Sequence, residues 1–272
     1  MSFKKILFPT DFSPASYNAF AYAVPFAEAI GAEIEIINIY RIPLTAAPDL
    51  SQPGILQESN RIHKQAAMKK MSDMMIKYGG EIELKQTPIY GIFVADEIAD
   101  YAKDNDCDLV IMGTKGEHGA LEKFVGTTTT DTTLKAPCPV LAVPENAKFT
   151  VMDSVAFATD YERDRCAILA LHDFTEKVGA ELHVIHAEKE EEQEEQNTEV
   201  DVYDTRRFTD FTVLHDRSVE EAIDTYIAEN NVKLLAMYLP SRKLWERLFH
   251  TSFTKQMVFH TDIPLLIFKE EK

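Results

Sequence analysis

The chain states one pattern twice. ILFPTDFSPAS, beginning at Ile6, returns as VAFATDYERDR from Val155, and GAEIEIINIY from Gly31 returns as GAELHVIHAE from Gly179. LEKFVGTT from Leu121 is echoed by WERLFHTS from Trp245, and CPVLAVP from Cys138 by IPLLIFK from Ile263. Correspondences in one order, offset by 148–149 residues before the middle region and by 124–125 after it, mean two copies of one folding unit, the second shorter in its middle. The 272 residues suit two domains of ordinary size. The expected boundaries are 1–146 and 151–272, joined near PENAKFT (Pro144 to Thr150).

Each copy alternates strand and helix. KKILFPT is a continuous apolar run, as in a strand buried on both faces. The segment SPASYNAFAYAVPFAEAI predicts a helix capped by Ser13, with Pro14 in its first turn and Gly31 ending it. Pro25 inside it should kink it. AEIEIINIY reads as an alternating strand, and ILQESNRIHKQAAMKKMSDMMIKY as a long helix ended by Gly79 and Gly80. IELKQTPIY is a strand, VADEIADYAKDN a helix, DLVIMGT a buried strand, TTTTDTTLK a short helix and PVLAVP a closing strand. This alternation predicts an α/β fold, two tandem doubly wound parallel-sheet domains with helices on both faces. The second copy is trimmed: KEEEQEEQNTEVDVYDTRRFTD leaves little room for the long helix, and its acidic run reads as a solvated loop.

MGTKGEHGALEKFVGTTTT (Met112 to Thr130) holds Gly113, Gly116, Gly119 and Gly126, from a total of only 10 glycines. It begins at the carboxyl end of a buried strand, where open parallel sheets bind ligands. Glycine lets a ligand approach the backbone, and amides at a loop-to-helix junction favour anions. Gly126, Thr127 and Thr128 could hold phosphate there, with Lys115 supplying local charge. The stretch is neither a Walker A loop nor the dinucleotide GxGxxG pattern. A glycine-rich turn without ligand is the competing reading.

Composition narrows the partners. The net charge of −17 and pI near 4.9 set nucleic acid and anionic membrane aside, because both bind through Lys and Arg. Three cysteines, Cys107, Cys138 and Cys166, with no CxxC spacing or zinc-like cluster, read as a reducing compartment. No signal peptide and no run of about 18 apolar residues is seen, so a soluble cytoplasmic protein is expected.

Gly113-x2-Gly116-x9-Gly126-Thr127 matches the G-x2-G-x9-G-[ST] signature of ATP-binding universal stress proteins. With ILFPTDFSPAS as the first strand and its Asp, and APCPVLAVP as the closing strand, essentially the whole chain resembles a tandem universal stress protein. The resemblance implies Rossmann-like domains of the adenine nucleotide alpha hydrolase-like kind. It also implies a site: Pro9 and Asp11 by the nucleoside, Ile39 offering backbone to adenine, Met112, Gly113, Lys115 and Gly116 lining ribose and phosphates, and Gly126, Thr127 and Thr128 holding the phosphate tail. Mg2+ would accompany the phosphates. The two copies would pair through their last strands, and a homodimer is expected. Asp11 as a helix N-cap is a compatible alternative.

The second copy departs from the pattern. In MYLPSRKLWERLFHTSF, Gly113 corresponds to Tyr238, Gly126 to His250, and Gly116 to Pro240 or Ser241; Pro9 becomes Ala158, while Asp160 remains. Loss of ATP binding is expected there, with Trp245, Leu248 and Phe249 as packing or interface residues rather than a new pocket. His183 and His186 lie on opposite faces of a strand, poor geometry for one metal; His186 sits where the family it resembles often has a histidine, which implies a structural role. No catalytic acid, base or nucleophile stands out. A nucleotide-binding stress or regulatory protein is the leading reading; a ligand-free scaffold and a slow nucleotide hydrolase stay open, as does ATP against AMP.

Overall fold

The computed structural model describes residues 3–42, 53–114, 127–159, 165–189, 207–216, 219–239 and 263–269. The first half comprises β1 (Lys5–Pro9), α1 (Pro14–Ile30), β2 (Glu33–Tyr40), α2 (Pro53–Tyr78), β3 (Leu84–Tyr90), α3 (Val94–Asp104), β4 (Leu109–Thr114), α4 (Thr127–Lys135) and β5 (Val140–Pro144). The second comprises β6 (Ser154–Ala158), α5 (Arg165–Val178), β7 (Glu181–Lys189), β8 (Asp210–Asp216), α6 (Val219–Glu229), β9 (Leu234–Leu239) and β10 (Leu265–Lys269).

The strands form one 10-stranded sheet in the order β3-β2-β1-β4-β5-β10-β9-β6-β7-β8. Read outward from its middle, each half has the same order, and its strands pair in parallel. β5 and β10 pair antiparallel, Leu266 opposite Leu141. The fold is therefore α/β with a parallel-dominated, doubly wound sheet, as the alternation of segments predicts. Among the described residues no helix is long and apolar enough to cross a membrane.

Local chemistry accounts for the repeated elements. Ser13 caps α1 by accepting from the Ser16 amide at 3.2 Å, and Pro14 opens the helix. Gly31 ends it in the left-handed region at φ 61°, where a side chain would be strained. The Ala32 amide then donates to the Ala27 carbonyl at 2.9 Å. Gly179 repeats the device after α5 at φ 73°, with the Ala180 amide donating to Thr175. α1 runs through Pro25 as one helix.

β2 does not alternate. Its burial is nearly continuous because helices cover both faces, and Glu35 is inside with the rest. That carboxylate accepts from the Tyr101 and Thr87 hydroxyls and lies 3.9 Å from the Lys5 ammonium. A buried charge persists only when satisfied in this way.

α1 and α2 cover one face, over Ile6, Phe8, Ile34, Ile36 and Ile111; α3 covers the other, over Leu7, Ile37, Val110 and Met112. The first of these cores runs on into the second half. Phe174 of α5 meets Phe3 at 6.1 Å and Phe26 at 5.7 Å between ring centroids, and Phe149, from the joining segment, packs on Tyr22 and Phe26. The acidic run after β7, Asp160, and the segment with Pro240, Ser241, Trp245, Leu248, Phe249 and His250 lie outside the described residues.

Candidate functional site

The chain leaves β1 through α1 on one face and leaves β4 toward α4 on the other. β1 and β4 are neighbours, so a crevice opens beyond their carboxyl ends. Pro9 is buried at the end of β1 and Asp11 is exposed at the mouth.

Ile39 faces this crevice with its backbone. The Thr10 amide donates to the Ile37 carbonyl at 2.9 Å, on the β1 side of β2. The Gly91 amide donates to the Tyr40 carbonyl at 3.2 Å, on the β3 side. Backbone groups alternate sides along a strand, so the N–H and C=O of Ile39 point to the β1 side. The β1 pairing stops at Pro9 opposite Ile37, so they extend beyond it.

Asp11 is held by its own turn. Its Oδ1 accepts from the Ser13 amide at 2.9 Å, so it braces the turn while Ser13 makes the helix cap. Thr10 Oγ1 accepts from the Phe12 amide at 3.0 Å and pairs with Ser16 Oγ at 2.7 Å. Phe12, between them, sits at φ 61°, a strained conformation for a bulky residue. The Lys70 ammonium lies 5.1 Å from the centre of its ring. Asn38 Nδ2 donates to the Thr10 carbonyl at 2.7 Å and fixes the loop to β2. Sequence reasoning missed Thr10, Ser16 and Asn38; a single Asn inside the buried run IINIY was the available signal, since a buried amide must find partners.

On β4, Met112 is 6% exposed and its side chain belongs to the α3-side core. Gly113 has a packing reason to be glycine. A Cβ there would lie 2.6 Å from the Ala15 carbonyl oxygen and 3.2 Å from the Ala19 Cβ. The first turns of α1 thus rest on the bare backbone of β4. Lys115, Gly116 and Gly126 lie outside the described residues. Thr127 and Thr128 form the first turn of α4, with Thr128 exposed. Thr129 Oγ1 donates to the Gly113 carbonyl at 3.3 Å, and Thr133 Oγ1 to the Thr129 carbonyl at 2.9 Å. One threonine of the run is thus a strut that seats the helix start beside the end of β4.

The second half repeats the frame with different residues. Gly113 is opposite Val143 and Tyr238 opposite Phe268, so strand register equates Gly113 with Tyr238. The Tyr238 ring packs into the larger core, on the sheet face that carries α1 and α5. The space it takes is therefore on the face that carries α1 and α5, not on the face that carries α3. The Thr159 amide donates to the Ile185 carbonyl at 3.0 Å, as Thr10 does to Ile37. His186 Nδ1 lies 2.8 Å from the Thr159 carbonyl, taking the role of Asn38. A carbonyl only accepts, so Nδ1 carries the proton. His183 engages Asp210 instead, Nδ1 to Oδ1 at 2.7 Å, so the two histidines serve separate partners.

Comparison with known proteins gives a consistent answer. The model of the universal stress protein family matches residues 2–144. A universal stress protein of Methanocaldococcus jannaschii is 30% identical over 147 residues, 54% of this chain and 85% of that protein. One from Thermus aquaticus is 29% identical over 145 residues, 52% of this chain and 98% of that protein. The solved structure of a universal stress protein from Archaeoglobus fulgidus covers 99% of both chains at 18% identity, with a TM-score of 0.75.

Proposed function

We infer a function from one established premise: the chain belongs to the universal stress protein family. We propose that residues 1–146 form a unit that binds an adenine nucleotide, ATP with Mg2+, and that residues 151–272 form a unit without that activity. The observation that carries the reading is the Ile39 backbone edge beyond the end of β1. A carbonyl and an amide side by side can accept from the adenine 6-amino group and donate to the adjacent ring nitrogen. Guanine presents the reverse pattern.

The remaining groups fit the rest of the molecule. Asp11, exposed at the mouth, suits the ribose hydroxyls. Gly113 lets α1 approach, and the start of α4, where Thr127 and Thr128 stand, would offer amides to phosphate. Met112, Lys115, Gly116 and Gly126 complete the expected lining. Mg2+ keeps several waters and rides on substrate phosphates, so it would be held chiefly by the phosphate tail. When bound, the ion would neutralise phosphate charge in an acidic chain.

Binding rather than turnover is the proposed role. ATP would favour one conformation or assembly of a cytoplasmic stress-response regulator. The second unit acts as scaffold: Tyr238 replaces Gly113, and β10 pairs with β5. Any homodimer then uses another surface. The test is displacement of a fluorescent ATP analogue by ATP, AMP and GTP. ATP should displace about tenfold better than GTP or more, the worth of about one hydrogen bond. Equal displacement would sink the base-recognition reading, and AMP outcompeting ATP would remove the phosphate tail from it.

A further inference from the structure

α1 carries the proposed site at its start and the joint between the halves along its flank. Asn18 lies one turn into the helix. Its Nδ2 donates to two backbone carbonyls, that of Pro144 at 3.1 Å and that of Ala147 at 2.9 Å. Pro144 ends β5, and the Ala147 amide donates to the same Pro144 carbonyl at 3.0 Å. One side chain thus stitches the turn by which the chain leaves β5 for the second half. Tyr22 and Phe26 follow Asn18 at intervals of four residues, on one stripe of the helix. Both pack on Phe149 of the joint, and Phe26 also meets Phe174 of α5. A helix moves as a rigid element, so a displacement of its start reaches these contacts.

The start of α1 hangs from a strained turn. Phe12, between β1 and α1, has φ 61°. Two side chains hold it there: Thr10 Oγ1 accepts from the Phe12 amide at 3.0 Å, and Asp11 Oδ1 from the Ser13 amide at 2.9 Å. Asp11 is also the carboxylate set against the ligand. A ligand hydroxyl and the Ser13 amide therefore compete for one group, and a turn under strain has a second arrangement to relax into.

We propose that Asn18 is a nucleotide-released clasp between the two halves. Occupation of the crevice draws Asp11 from the Ser13 amide, the Phe12 turn relaxes, the start of α1 shifts, and Asn18 leaves the Pro144 and Ala147 carbonyls. The empty crevice keeps the joint closed; the filled crevice frees it. The inference rests on the nucleotide reading of the crevice and adds the route by which its occupation reaches the second half. Linkage fixes the sign of the effect: if binding opens the clasp, the clasp opposes binding.

The test uses the full nucleotide-free chain, wild type and Asn18→Leu. Each is titrated with ATP and Mg2+ by calorimetry, and amide exchange across residues 145–149 is followed by mass spectrometry with and without the ligand. Asn18→Leu should bind ATP about fivefold more tightly, since about one hydrogen bond no longer has to be broken. In the wild type, ATP should speed exchange in the joint by about the same fivefold. In Asn18→Leu that exchange should be fast already and indifferent to ATP. A merely structural Asn18 would leave the affinity unchanged or weaker on substitution, and that result overturns the proposal. So does a wild-type joint whose exchange ATP leaves unchanged or slows while ATP is bound, a result that stands whatever the variant does. A wild-type chain that binds no ATP would instead overturn the nucleotide reading, and the clasp with it.

Discussion

The Ala15 carbonyl oxygen lies where it would be 2.6 Å from a Cβ on residue 113. The first turn of α1 can therefore rest on β4 only if residue 113 is glycine. Gly113→Ala should destabilise the chain by about 1–3 kcal/mol, the usual cost of overpacking against backbone. Urea unfolding measures it. Nucleotide affinity should fall as well, since α1 carries the Asp11 turn with it. A neutral effect on stability would show that the glycine serves only the ligand.

Asn38 and His186 do the same work in the two halves, each donating to a threonine carbonyl at the end of the first strand of its half. Asn38→Ala and His186→Ala should each cost about 1–3 kcal/mol by stranding a buried carbonyl. Only Asn38→Ala should also weaken ATP binding, because Thr10 and Asp11 belong to the proposed site. Parallel titrations of the two variants separate the effects.

Tyr101 gives the fold an alkaline limit. Burial first, and then its hydrogen bond to Glu35, push its hydroxyl up to about 12, against an ordinary 10. The unfolded chain therefore loses this proton before the folded chain does. The stability it contributes is present below pH 10 and is lost as pH rises from 10 toward 12. Tyr101→Phe should flatten that limb of a stability–pH curve, while lowering stability near neutral pH by removing a donor from the buried Glu35 carboxylate. An unchanged alkaline limb would contradict the assignment.

Phe174 joins the halves. It is 4% exposed and touches Phe3 and Phe26 of the first half. Phe174→Ala should cost about 3–5 kcal/mol. It should also uncouple the halves, turning one calorimetric unfolding transition into two. A single transition at a lower midpoint would mean that the β5–β10 pairing alone couples them.

Much of the fold was legible because the chain writes it twice. The Gly31 and Gly179 helix ends, the Ser13 cap and the apolar runs of β1 and β4 follow local rules, and local rules survive folding. Glu35 misled the reading of β2, because its partners Tyr101, Thr87 and Lys5 are distant in sequence. The site was legible as a list of glycines and less so as a frame. Gly113 was read as room for a ligand, whereas its nearest neighbour is α1, a contact that only tertiary packing reveals. Asp11 turned out to brace its own turn, and Thr129 to bind Gly113, for the same reason.

The two copies of one unit are proposed to divide the labour, the first binding nucleotide and the second not. Calorimetric titration of the nucleotide-free chain with ATP and Mg2+, read as sites per chain, tests it most directly. One site is expected, lost in Asp11→Ala combined with Gly113→Tyr. Two sites would mean that the second half, with Tyr238, still accepts the nucleotide. No site would reduce the crevice to a feature of the fold and contradict the proposed function.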